Sequence, residues 1–85
     1  HTDVVPVDGQ DWASDPFTVI ERDGRLYGRG TSDMKGFIAC VLAVVPEHVQ
    51  RGLNTPLHLA FSYDEEVGCL GVRGLLADLA REGIT

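Results

Sequence analysis

The stretch Gly28-Arg29-Gly30-Thr31-Ser32-Asp33-Met34-Lys35-Gly36, running on into Phe37-Ile38-Ala39-Cys40-Val41-Leu42-Ala43-Val44-Val45, decides how this chain is read. Two glycines within three residues mark a tight turn, because glycine reaches backbone angles that other residues avoid. Beyond it, Phe37, Ile38, Val41, Leu42, Val44 and Val45 recur at spacings of three and four with few charges, which predicts a largely buried helix. Cys40 in that run reads as a core residue. Pro46 is expected to end or kink the helix, since proline lacks an amide hydrogen and crowds the preceding turn. On the amino side, Asp23-Gly24 between Val19-Ile20 and Leu26-Tyr27 predicts a short hairpin. Further out, the opening residues up to Val7 read as a strand, followed by the loop signals Asp8-Gly9 and Asp15-Pro16. On the carboxyl side, Pro56-Leu57-His58-Leu59-Ala60-Phe61 reads as a buried strand leading into Ser62-Tyr63-Asp64-Glu65-Glu66. Val72, Leu75, Leu76 and Leu79 then form a second helical stripe closed by Gly83. Strand, hairpin, helix, strand, helix is an α/β pattern, a partial βαβ unit, with its polar clusters at the carboxyl ends of strands. Open α/β sheets place ligand sites there.

At 85 residues the chain is long enough for one small domain and short for a catalytic domain of ~100 to 200 residues. It opens inside a strand pattern without an initiator Met and closes at Gly83-Ile84-Thr85 as a helix stops. The expectation is therefore a piece of a larger domain, truncated at both ends. No apolar run approaches the ~18 to 20 residues that cross a bilayer, and no basic lead-in precedes an apolar segment. With 13 acidic against 7 basic residues, the net charge of −6 argues against nucleic acid or an anionic membrane as partner. Cys40 and Cys69 are far apart and form no CxxC pair, so neither a disulfide framework nor a thiolate zinc site is expected, and a reduced cytoplasmic compartment fits. A reactive thiol at Cys69 would require a basic neighbour.

Three clusters carry chemistry: His1-x-Asp3, Asp33 after the glycine turn, and Asp64-Glu65-Glu66, each beside a β-like run. Most carboxylates in an acidic chain only solvate its surface. A neutral imidazole with carboxylates is nonetheless a suitable donor set for zinc, and one carboxylate can bridge two cations through its two oxygens. A further carboxylate that is not a ligand can act as general base toward a water that cations have acidified. Adjacent Glu65 and Glu66 are placed to divide these roles.

Four motifs, in order, extend this reading. His1-Thr2-Asp3-Val4-Val5-Pro6, then Trp12 with Asp15-Pro16-Phe17, then Gly24 to Gly30 running into Asp33-Met34-Lys35-Gly36, and finally Asp64-Glu65-Glu66-Val67-Gly68 resemble the dizinc peptidase and deacylase family. That family includes glutamate carboxypeptidases, desuccinylases and aminoacylases. Within it, Ser62 to Arg73, Val7-Asp8-Gly9-Gln10 and Gly36-Phe37-Ile38-Ala39 are most similar to acetylornithine deacetylases.

The resemblance implies the N-terminal part of the catalytic, metal-binding domain of a zinc-dependent exopeptidase-like fold. It implies His1 as ligand of one metal, Asp33 as the bridge, Glu66 as ligand of the other, and Glu65 as general base. Asp3 would orient the His1 imidazole, and the Asp33-Met34 peptide would be cis. A further acidic ligand and a distal histidine are implied later in the chain; His48 and His58 do not match those positions, and Asp78 and Glu82 read as the solvent face of a helix. The implied cofactor is two Zn2+, with Co2+ as an alternative, and the implied reaction releases ornithine and acetate from N-acetylornithine, a step of arginine biosynthesis. A homodimer is implied for the full-length enzyme. Two other readings stay open. One is a related desuccinylase or metallocarboxypeptidase. The other is a non-catalytic fragment whose acidic cluster is an incomplete cation site. A glycosidase-type carboxylate pair would differ from all of these by its indifference to chelators.

Overall fold

The structure is a computed structural model describing residues 1–84. Its elements run β1 (Ile20–Arg22), β2 (Arg25–Tyr27), α1 (Gly36–Arg51) and α2 (Val72–Arg81). β1 and β2 pair antiparallel with Ile20 opposite Tyr27 and Arg22 opposite Arg25, so the turn falls on Asp23-Gly24 as predicted. Both turn residues have positive φ, 51° at Asp23 and 69° at Gly24, which is what a two-residue hairpin needs to follow the strand twist.

α1 begins where the helical apolar spacing begins, and it runs through Pro46 to Arg51. Proline at position 46 removes one helical hydrogen bond, to the Leu42 carbonyl, without ending the helix. α2 covers the predicted stripe and ends as predicted. Gly83, at φ 69°, donates to the Ala80 carbonyl at 3.2 Å while Ile84 donates to Leu79 at 3.0 Å, the paired bonds of a glycine-closed helix terminus.

Two predicted strands form no ladder. The opening segment and residues 56–63 meet through Thr2 N–H donating to the Ser62 carbonyl at 3.0 Å, reinforced by Thr2 Oγ1 to the same oxygen at 3.1 Å. A strand requires a repeating row of such bonds with a neighbour, and among the described residues these segments share no such row. The mixture of a two-stranded sheet and two helices is that of a partial α/β domain.

Burial departs furthest from expectation. Among the described residues no hydrophobic side chain is buried: Phe37 is 62% exposed in α1, and Phe61 is 50% exposed in the segment read as a buried strand. Cys40, read as core, is exposed as well. The cause is geometric. The chain spreads as a layer 46 × 33 × 12 Å, so each apolar face has at most one neighbour, and a core needs two packed layers. Among the described residues no helix is long and apolar enough to cross a membrane.

Candidate metal centre

Three chain segments converge on the His1 imidazole. The first is its own strand-like segment. Nδ1 lies 3.1 Å from the Asp3 main-chain oxygen and 3.3 Å from Asp3 Oδ1. Both neighbours accept, so the proton belongs on Nδ1 and Nε2 is directed away from Asp3. Asp3 Oδ1 is buried and makes no hydrogen bond of good geometry, while Oδ2 accepts the Glu66 amide at 3.1 Å. One carboxylate thus faces His1 with one oxygen and holds the glutamate loop with the other.

The second segment is the turn from Gly28 to Lys35. Gly30 is buried at φ 82°, and a β-carbon there would come within 2.8 Å of Val4 Cγ1, so only glycine lets the turn lie against the opening segment. The Lys35 amide closes the turn on the Gly30 carbonyl at 2.7 Å, and inside it Asp33 (φ −129°, ψ 99°) is non-helical, followed by the cis peptide Asp33-Met34. This carries Asp33 Oδ1 to 3.1 Å from His1 Nε2.

The third segment is the loop after Tyr63. It folds tightly: Gly68 and Cys69 amides both donate to the Glu65 carbonyl at 3.0 Å, and Leu70 donates to Asp64 at 3.0 Å. Asp64 and Cys69 have φ of 52° and 57°, and Gly71 packs where a β-carbon would strike the Tyr63 carbonyl. The loop brings Glu65 Oε2 to 3.4 Å from His1 Nε2. Donor atoms of His1, Glu65 and Glu66 all lie within 4.8 Å of one another.

Convergence of acceptors gives the site its electrostatic character. With Nδ1–H directed at Asp3, a neutral ring presents its Nε2 lone pair to the carboxylates of Asp33 and Glu65, and acceptors so placed require a proton or a cation among them. Burial opposes charge on the ring, but the Asp3 carbonyl, the Glu65 and Asp33 carboxylates and Asp3 itself outweigh it, so the His1 pKa stands above its ordinary 6.5. Asp3 is likewise opposed by burial but is held below its ordinary value by amides of Glu66 and Glu65, and by His1. One imidazole nitrogen with carboxylate oxygens in this spacing fits a divalent cation such as zinc, whose ligands sit at ~2.0 to 2.2 Å and hence ~3 to 3.5 Å from one another.

Each of the five residues singled out in the sequence lies in or beside this convergence. Asp33 touches His1 yet falls outside the tight group of three, in which Glu65 stands beside Glu66 as a donor. His48 and His58 are exposed, and Asp78 pairs with Arg81 at 2.7 Å on the surface of α2. Cys69 Sγ lies 3.7 Å from Glu65 Oε1, so its neighbour is an acid and not the base that an activated thiol requires. The sequence reading assigned no role to Lys35, whose Nζ donates to the Thr2 carbonyl at 2.5 Å. Its signal was proximity: two residues after Asp33 in a motif already singled out.

No solved structure matches this chain. The profile of one family, described as Peptidase family M20/M25/M40, matches residues 1–85, the whole of the sequence, including all three converging segments. A match over the whole length of the sequence shows the family: the chain belongs to peptidase family M20/M25/M40, whose members are hydrolases, generally metal-dependent.

Proposed function

We propose that this chain is the N-terminal part of the catalytic domain of an exopeptidase-like, dinuclear zinc amidohydrolase, and that the enzyme removes the acyl group from an N-acyl amino acid, N-acetylornithine first among them. The observation that carries the reading is the meeting of His1 Nε2 with Asp33 at 3.1 Å and Glu65 at 3.4 Å, with Nδ1 facing Asp3. In this reading His1 and Glu66 would each hold one cation, Asp33 would serve both, and the remaining ligands would come from chain beyond these residues. Cobalt can stand in for zinc with the same donors. The metals, when bound, acidify water and polarise the amide carbonyl.

The chain's own residues do the rest. Asp3 fixes the imidazole so that Nε2, and not Nδ1, faces the cations. Glu65 takes the proton from the attacking water and returns it to the departing amine nitrogen, because an amide nitrogen leaves poorly until protonated. Its reach toward the centre is set by the loop bonds from Gly68 and Cys69. Small N-acyl amino acids suit a family of peptidases, since both substrate types present an amide beside a carboxylate. A homodimeric, cytoplasmic enzyme of arginine biosynthesis is part of the same proposal and rests on the sequence resemblance.

The test is direct. The zinc-loaded full-length protein is expected to release ornithine from N-acetylornithine, to stop in EDTA, and to recover on addition of zinc or cobalt. Faster turnover of an N-succinyl amino acid or a dipeptide would move the substrate to a desuccinylase or metallocarboxypeptidase. Activity indifferent to chelator would refute the metal reading altogether.

A further inference from the structure

Asp33 and His1 belong to segments 32 residues apart in sequence, and their spacing must be maintained by something other than the cation they are proposed to share. Among the described residues two hydrogen bonds join the two segments directly besides His1 to Asp33 itself: the His1 amino group donates to Met34 Sδ at 2.9 Å, and the Lys35 side chain donates across the same gap. Its Nζ donates to the main-chain carbonyl of Thr2, the residue between His1 and Asp3. Its own amide closes the turn on the Gly30 carbonyl, which encloses Asp33 in the turn that Lys35 ties to Thr2. The aliphatic stem has a separate task. A β-carbon on Gly30 would lie 3.5 Å from Lys35 Cδ and Cε, so the stem lies across that buried glycine.

We propose that Lys35 is a positioning residue for the amide hydrolysis proposed above: its ammonium, bonded to the Thr2 carbonyl, sets the distance between the His1 imidazole and the Asp33 carboxylate. The inference rests on that functional reading for its kinetic consequence, while its structural content concerns the metal centre alone. An ammonium offers three N–H groups on a flexible stem and reaches a carbonyl without displacing the chain. Losing it leaves the turn tied to the opening segment by the His1 amino bond to Met34 Sδ and by Gly30 against Val4, with no donor left on the Thr2 carbonyl to set the spacing. Small displacements of ligands held from outside the coordination sphere are costly to metal affinity.

Two variants of the full-length protein separate the ammonium from the stem. Lys35→Met retains a stem of similar length and loses the donor; Lys35→Arg retains the donor. Zinc titration of Lys35→Met is expected to show affinity weakened by about 10- to 100-fold, the range for loss of a contact that supports a ligand. Its kcat on N-acetylornithine falls while KM changes little, its thermal midpoint without metal stays near that of the parent, and Lys35→Arg recovers most of both zinc affinity and kcat. Unchanged zinc affinity in Lys35→Met, or equal losses in Lys35→Arg, would overturn the proposal. So would a collapse of the thermal midpoint in Lys35→Met, which would assign the side chain a merely structural role. The zinc titration needs no substrate: a parent protein that binds zinc but hydrolyses no N-acyl amino acid sinks the reaction assigned above, and the role of Lys35 is still read from the variants' affinities.

Discussion

In the full-length protein, Glu65→Ala is expected to bind zinc as the parent does while its kcat falls by ~10² to 10⁴, the contribution of a well-placed general acid–base. The expectation is sharp because Glu65 has two available identities. Its carboxylate oxygen is 3.4 Å from His1 Nε2 and belongs to the same tight donor group as Glu66, so geometry alone also admits it as a ligand. A ligand and a base differ in what their loss removes. Deleting a ligand lowers metal affinity and turnover together, whereas deleting a base leaves the metal in place and removes only proton transfer. Zinc content by elemental analysis, measured beside kcat, separates them. Zinc lost together with activity would exchange the roles of the two glutamates. Full activity would remove Glu65 from the chemistry.

Replacing His1 by alanine should have the second large effect, this time on the metal. His1 is the group that all three segments share, touching Asp3, Asp33 and Glu65. Without the imidazole, the Asp33 and Glu65 carboxylates are left facing one another with no nitrogen between them. Zinc affinity is then expected to fall by more than the ~10- to 100-fold that loss of a supporting residue costs, and Asp3→Asn, which changes only the partner of Nδ1, should fall within that range. Competition titrations with a zinc chelator measure both. Equal affinities for His1→Ala and the parent would show that cations bind elsewhere or not at all.

Local features were legible in the sequence because local rules fix them. Asp23-Gly24 specified its hairpin, Gly83 its helix end, and the apolar spacing both helices, since turn chemistry and helical period act over a few residues. Burial was not legible. Phe37 and Phe61 carry the patterns of buried elements yet are exposed, because a pattern records which face seeks cover and not whether a second layer is present to supply it. Strand assignment for residues 56–61 failed for the related reason that a strand is defined by its neighbour. The convergence on His1 was legible as a set of residue types, His1, Asp3, Asp33, Glu65 and Glu66, through their place in three of the four ordered motifs. Its supports were not, since Lys35 reaching Thr2 and Asp3 accepting the Glu66 amide join residues 33 and 63 positions apart.

A zinc-loaded crystal of the full-length protein, with anomalous scattering recorded at the zinc edge, puts the centre itself in view. Two peaks ~3.5 to 4 Å apart are expected, with Asp33 between them and with His1 Nε2 and Glu66 each ~2.0 to 2.2 Å from one of the two. Peaks that touch none of these three residues, or no peak at all, would contradict the account.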